Sequence, residues 1–195
     1  MAKSVLSKLA LETQGNPLTK NFWQSAAAEF HNLRTLTTVS LLMAVSIVIS
    51  NFFIPLGDNL KVFFTFLPKA VYCAIGGPLV GMAAGFAGDI IGYLMHPDGG
   101  YFFGYTLSSM LGCFIYGLFF YRTKVTLPRI IVAKVLVNYL VNVALGCLWS
   151  SMMVGQAYLY YLGKSLLKNT LLLPVEIFIL SAVFASLHVM GKRSK

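Results

Sequence analysis

Six apolar stretches, each long enough to cross a bilayer, follow one another through a 195-residue chain with almost no polar sequence between them. In hydrocarbon every backbone N–H and C=O must be satisfied from within the protein, which leaves only helices and closed barrels as spanning structures. Runs this long and without polar–apolar alternation read as helices. We place them at about 35–56, 62–77, 78–95, 104–122, 128–154 and 165–190, with Gly76-Gly77-Pro78 as a tight turn between the second and third. With 57% hydrophobic and 11% charged residues and a mean hydropathy of +0.76, the composition is that of an integral membrane protein. The expected fold is therefore all-α: one six-transmembrane-helix bundle.

The net charge of +9 is distributed in a way that speaks for topology rather than for nucleic acid. If the N-terminus is inside, the cytoplasmic segments carry Lys3, Lys8, Lys20, Arg34, Arg122, Lys124, Arg129, Lys192, Arg193 and Lys195, and the outer segments carry only Lys61, Lys164 and Lys168. This asymmetry puts both termini in the cytoplasm. Residues 1–33 lack the continuous apolar core of a secretory signal peptide. Phe22, Ala26, Phe30 and Leu33 recur at helical spacing, which suggests a short interfacial helix on the cytoplasmic leaflet. The expected organisation is a cytoplasmic N-terminal extension (1–33), a six-helix membrane domain (34–190) and a cytoplasmic tail (191–195). Cys73, Cys113 and Cys147 are odd in number and lie within spans, and His31, His96 and His188 lack ligand spacing, so no disulfide framework, metal or cofactor is expected.

Function must rest on the polar residues inside the spans. In the fifth, Lys134, Asn138 and Asn142 fall at i, i+4 and i+8, with Trp149 and Gln156 continuing the stripe outward. At ~1.5 Å per residue the two amides lie near mid-membrane, where they need partners on other helices or on a ligand. Lys134 is shallow enough to snorkel. In the sixth span Lys168 and Asn169 open the outer end and Glu176 lies about two turns deeper, with no obvious fixed partner. Asp89 and Lys69 are expected to pair with each other. Aromatic-rich outer loops (Pro55-Leu56-Gly57-Asp58-Asn59, His96 to Tyr101, and 155–164) would close a cup facing outward. Rings for stacking, amides for heterocycle edges and lysines for carboxylates suit a flat, anionic small molecule. The third span carries Gly77, Gly81, Gly85 and Gly88 at close to four-residue spacing, a pattern that serves close helix approach either within the bundle or to a partner protein.

No catalytic motif appears. Gly163-Lys164-Ser165 resembles the end of a phosphate-binding loop, but Tyr158 stands where that motif requires Gly. Two deep acids, Asp89 and Glu176, are too few for metal-assisted chemistry, and an enzyme is not the reading we favour.

Phe66-Leu67-Pro68, Gly76-Gly77-Pro78-Leu79-Val80-Gly81, Gly88-Asp89-Ile90-Ile91-Gly92-Tyr93, Gly104-Tyr105-Thr106-Leu107-Ser108-Ser109, and Lys168-Asn169 followed by Leu173-Pro174-Val175-Glu176 occur in order over residues 33–190. In these motifs the chain resembles a substrate-binding S component of an energy-coupling-factor (ECF) vitamin transporter, of the folate-type branch. The resemblance implies a module in a prokaryotic cell membrane that captures a vitamin outside and delivers it through a transmembrane T subunit driven by two cytosolic ATPases. It implies that Ser40 and Ala44, in place of an Ala-x-x-x-Ala pair, meet the T subunit; Gly81 and Gly85 are further candidates for that contact. Ligand contacts are expected from Tyr105, Asn142, Trp149, Lys164, Lys168 and Asn169. Ser165 stands where folate-type members often carry Arg, a departure that bears on the ligand more than on the family. Another vitamin such as riboflavin or thiamine remains an alternative, as does a small channel or structural membrane subunit.

Overall fold

The computed structural model describes residues 17, 19–50, 52–57, 60–95, 97, 100–154 and 158–193. Helix α1 (Lys20–Ala28) leads through a single 3-10 turn (Glu29–His31) into α2 (Leu33–Ser50). A two-stranded hairpin, β1 (Phe53–Gly57) and β2 (Leu60–Phe63), precedes α3 (Phe66–Met95) and α4 (Phe103–Phe120). Then α5 (Leu127–Leu136), a π-helical segment (Val137–Leu145) and α6 (Gly146–Val154) form one continuous rod, and α7 (Tyr158–Arg193) closes the chain. Among the described residues, five segments are long and apolar enough to cross a membrane.

The first span was expected to run to residue 56, yet α2 stops at Ser50. Pro55 cannot donate a helical hydrogen bond and its ring clashes with the preceding turn, whereas Phe53, Ile54, Val62 and Phe63 suit extended backbone. They pair antiparallel, Phe53 opposite Phe63 and Ile54 opposite Val62, with the register slipping between Pro55 and Gly57.

The expected second and third spans are the two halves of α3, broken at Gly77, whose φ of 78° and ψ of −179° are open chiefly to glycine. Pro78 then starts the second half, where its missing N–H removes no needed bond. The halves fold back on each other. A Cβ placed on Gly81 would lie 3.0 Å from Cys73 Sγ, although an unbroken helix would hold these positions about 12 Å apart. Helix α4 crosses this turn so closely that a Cβ on Gly117 would sit 2.5 Å from Pro78 Cα. Around this crossing the core gathers Tyr72, Cys73, Cys113, Tyr116, Phe120, Leu180 and Phe184.

Helix α1 packs against the bundle. Phe22 and Ala26 are buried against Tyr121, and Trp23 stacks on Phe114 with centroids 6.1 Å apart. The anchor is Glu29, buried beneath the helix. It accepts hydrogen bonds from Thr35 Oγ1 (2.7 Å) and Tyr121 Oη (3.1 Å) and lies 3.7 Å from Arg122. The loop expected over 155–164 is helical from Tyr158 onward, while residues 155–157, and with them Gln156, fall outside the described residues.

Candidate functional site

A cavity of about 480 Å³ opens between α3, α4, α5, the π segment, α6 and α7. That volume falls within the roughly 300–1,000 Å³ of small-molecule sites. Tyr105, Asn142, Lys168 and Asn169, four of the six expected ligand contacts, all line it. Asn169 Nδ2 donates to the Ser165 carbonyl (2.8 Å) and Ser165 Oγ (3.3 Å), which orients its amide. Asn142 Nδ2 donates to Asn138 Oδ1 at 3.3 Å. Tyr105 Oη shares a hydrogen bond with Ser150 Oγ at 3.2 Å.

The other two expected contacts stand differently. Trp149 is set behind the wall: its Nε1 donates to Ser108 Oγ, which lines the cavity, at 2.9 Å, and its ring packs on Phe102. The side chain of Lys164 lies outside the described residues.

Three readings of the polar residues change. Lys134 does not snorkel. It is 1% exposed, its Nζ lies 3.0 Å from Glu176 Oε2, and the ammonium sits 3.8 Å from the centroid of the Phe66 ring. Glu176 therefore does have fixed partners, since Asn138 Nδ2 also donates to Oε2 at 2.7 Å. The physical reason is desolvation: an ammonium and a carboxylate facing each other across two apolar helices are held together by the same low dielectric that penalises either alone. Lys69 and Asp89 do not pair with each other. Lys69 Nζ donates to Ser109 Oγ (3.2 Å), and Asp89 accepts from Thr106 Oγ1 (2.7 Å), a nearby donor that satisfies it.

Phe66, Tyr116, Lys134 and Glu176 belong to the lining and were missed as site residues. The legible signal was a base and an acid at matching depth on consecutive helices of opposite direction. Lysines outnumber acids in the lining, Lys69, Lys134 and Lys168 against Asp89 and Glu176, which leaves a positive surplus for an anionic ligand.

The small-residue positions divide. Ser40 and Ala44 are exposed on α2. Gly81 and Gly85 are buried: a Cβ on either would meet a cysteine Sγ at 3.0 Å, Cys73 or Cys113 respectively. At both positions the face that a side chain would occupy is packed within the bundle, against the first half of α3 at Gly81 and against α4 at Gly85.

The family model for the substrate-specific component of ECF transporters matches residues 34–190. The chain belongs to that family. As an ECF S component it is a substrate-binding part of a transporter, not a member of a catalytic family. This S component is 28% identical over 160 residues to the folate transporter FolT of Clostridium novyi (strain NT), covering 80% of this chain and 93% of that one. It is 29% identical over 151 residues to FolT of Leuconostoc mesenteroides subsp. mesenteroides, covering 74% and 80%. Its fold matches a crystal structure of FolT bound with folic acid at a TM-score of 0.68 and 33% identity, over 75% of this chain and 89% of that one.

Proposed function

We propose that this S component captures folate, or a related pterin, from outside a prokaryotic cell. It hands the vitamin to a T subunit driven by two cytosolic ATPases. The observation that carries the reading is the cavity on which Tyr105, Asn142, Lys168 and Asn169 converge. Its basic surplus, hydrogen-bonding amides and aromatic wall suit a flat heterocycle with a carboxylate tail, and the FolT relatives agree with it. Six crossings follow if each half of α3 traverses the bilayer, and the basic-residue asymmetry then puts both termini in the cytoplasm and the cavity mouth outside.

Purified protein in detergent should bind folic acid saturably without ATP, read by isothermal titration calorimetry, and should not hydrolyse ATP. Uptake into vesicles should require an added T subunit and ATPases. Binding of riboflavin or thiamine in place of folic acid would move the assignment to another vitamin; binding of none of them would overturn vitamin capture. Orientation is checked separately by labelling single cysteines from outside. Substitutions at Asp98 and Tyr160 should react and those at Lys124 and Lys195 should not; the opposite pattern would invert the topology.

A further inference from the structure

The floor of the cavity holds an arrangement that packing alone does not call for. Glu176 lies midway along the apolar Ser165–Val189 segment. A buried ion pair is commonly no more stable than well-packed apolar residues of the same volume, and ionisable groups within spans mark ligand or ion sites. Both contacts to Glu176, from Lys134 and Asn138, fall on Oε2. Oε1 makes no hydrogen bond or ion pair among the described residues and belongs to a side chain that lines the cavity. Beside it, Tyr116 also lines the cavity, is 2% exposed, and has a hydroxyl with no hydrogen-bond partner among the described residues. A buried polar group left in that state is costly and calls for an explanation.

We propose that Glu176, Lys134 and Tyr116 form a reading head for the hydrogen-bonding edge of the ligand's heterocycle. The carboxylate oxygen accepts from a ring N–H or amino group. The ammonium and the phenol donate to a neighbouring ring carbonyl. Acceptor beside donors complements a ring that presents donor beside acceptor, as the 2-amino-4-oxo edge of folic acid does. A 2,4-diamino edge places a second donor against Lys134 and is disfavoured. Asn138 is a positioning residue, occupying Oε2 so that Oε1 remains for the ligand. Recognition of this kind discriminates strongly, because a mismatched edge leaves buried groups unpaired. This inference rests on the folate reading above.

The test compares folic acid with its 4-amino-4-deoxy analogue by calorimetry on the full-length protein. The wild type should prefer folic acid by about tenfold or more. Tyr116→Phe should weaken folic acid severalfold while its ligand-free thermal stability stays the same or rises, since an unpaired buried hydroxyl is removed. A purely structural tyrosine would leave affinity unchanged. Single removal of Lys134 or Glu176 strands a buried charge, so the double variant Lys134→Met/Glu176→Gln is the decisive protein; it should bind with the 4-oxo preference erased. An undiminished preference in that variant, or in the absence of a folding defect an unchanged affinity in Tyr116→Phe, would overturn the reading head while leaving folate capture standing. Failure of the wild type to bind folic acid would instead remove the reading on which it rests.

Discussion

Asn169 Nδ2 donates to both the carbonyl and the hydroxyl of Ser165, and the carbonyl of its own side chain, with no hydrogen bond among the described residues, is left for a ligand donor. Asn169→Ala removes that acceptor and Lys168→Ala removes a cation from the same cavity wall. Each should weaken folic acid binding about tenfold, equivalent to ~1.4 kcal/mol, in protein that remains folded. Affinity unchanged by either would mean that the Lys168 end of α7 faces headgroups rather than ligand. Trp149→Phe should do less, staying within about threefold, since the indole acts through Ser108 and keeps an aromatic ring against Phe102. Calorimetry on the three variants separates wall from support. Lysines, amides and a tyrosine within the apolar spans were readable from spacing because polar groups at that depth need partners or a cavity. What spacing does not encode is which of two neighbouring aromatics faces inward. Trp149 and Tyr105 looked equivalent, but the hydroxyl of Ser108 holds the first behind the wall.

At the level of elements, the crossing of α4 over the broken helix α3 depends on the absence of a side chain at one position. A methyl at Gly117 would press on the backbone of Gly77 and Pro78, which cannot swing aside as a side-chain tip would. Gly117→Ala should therefore destabilise the protein by at least ~1–3 kcal/mol, the usual range for an overpacked core. Gly92→Ala, with open space around the added methyl, should be near neutral. Thermal unfolding of the two variants in detergent decides it, and equal midpoints would contradict the close crossing. The break itself was legible, since Gly76-Gly77-Pro78 combines free dihedrals with a helix-starting proline. The β hairpin was hidden because Phe53, Ile54, Val62 and Phe63 are as apolar as a span, and only Pro55 argued against helix. The π segment left no mark either: Gly146 N–H reaches back to the Val141 carbonyl, a wider turn that the i, i+4 count from Lys134 to Asn142 does not reveal.

Taken whole, the molecule is unevenly covered. Only 17% of the apolar window in α2 is buried within the bundle, against 67% for α3. The outward face of α2 carries Leu41 and Val48, 66% and 55% exposed, with the exposed Ser40 and Ala44 alongside them on the same side of the helix. Lipid alone would satisfy such a face, but small residues on it let another helix approach closely, which is how helices associate where no hydrophobic drive exists. A bulky side chain there should block a partner while leaving the distant cavity intact. Ala44→Trp is therefore expected to bind folic acid as the wild type does, yet to lose most uptake in vesicles reconstituted with a T subunit and ATPases. Gly81→Leu is the contrasting variant, since its side chain would enter the packing against Cys73 and should lower stability before any partner is added. If Ala44→Trp supports full uptake, the T subunit docks elsewhere and the exposed face of α2 is simply wetted by lipid. If it also loses ligand, α2 helps to shape the cavity, which its position on the far side of α3 does not predict.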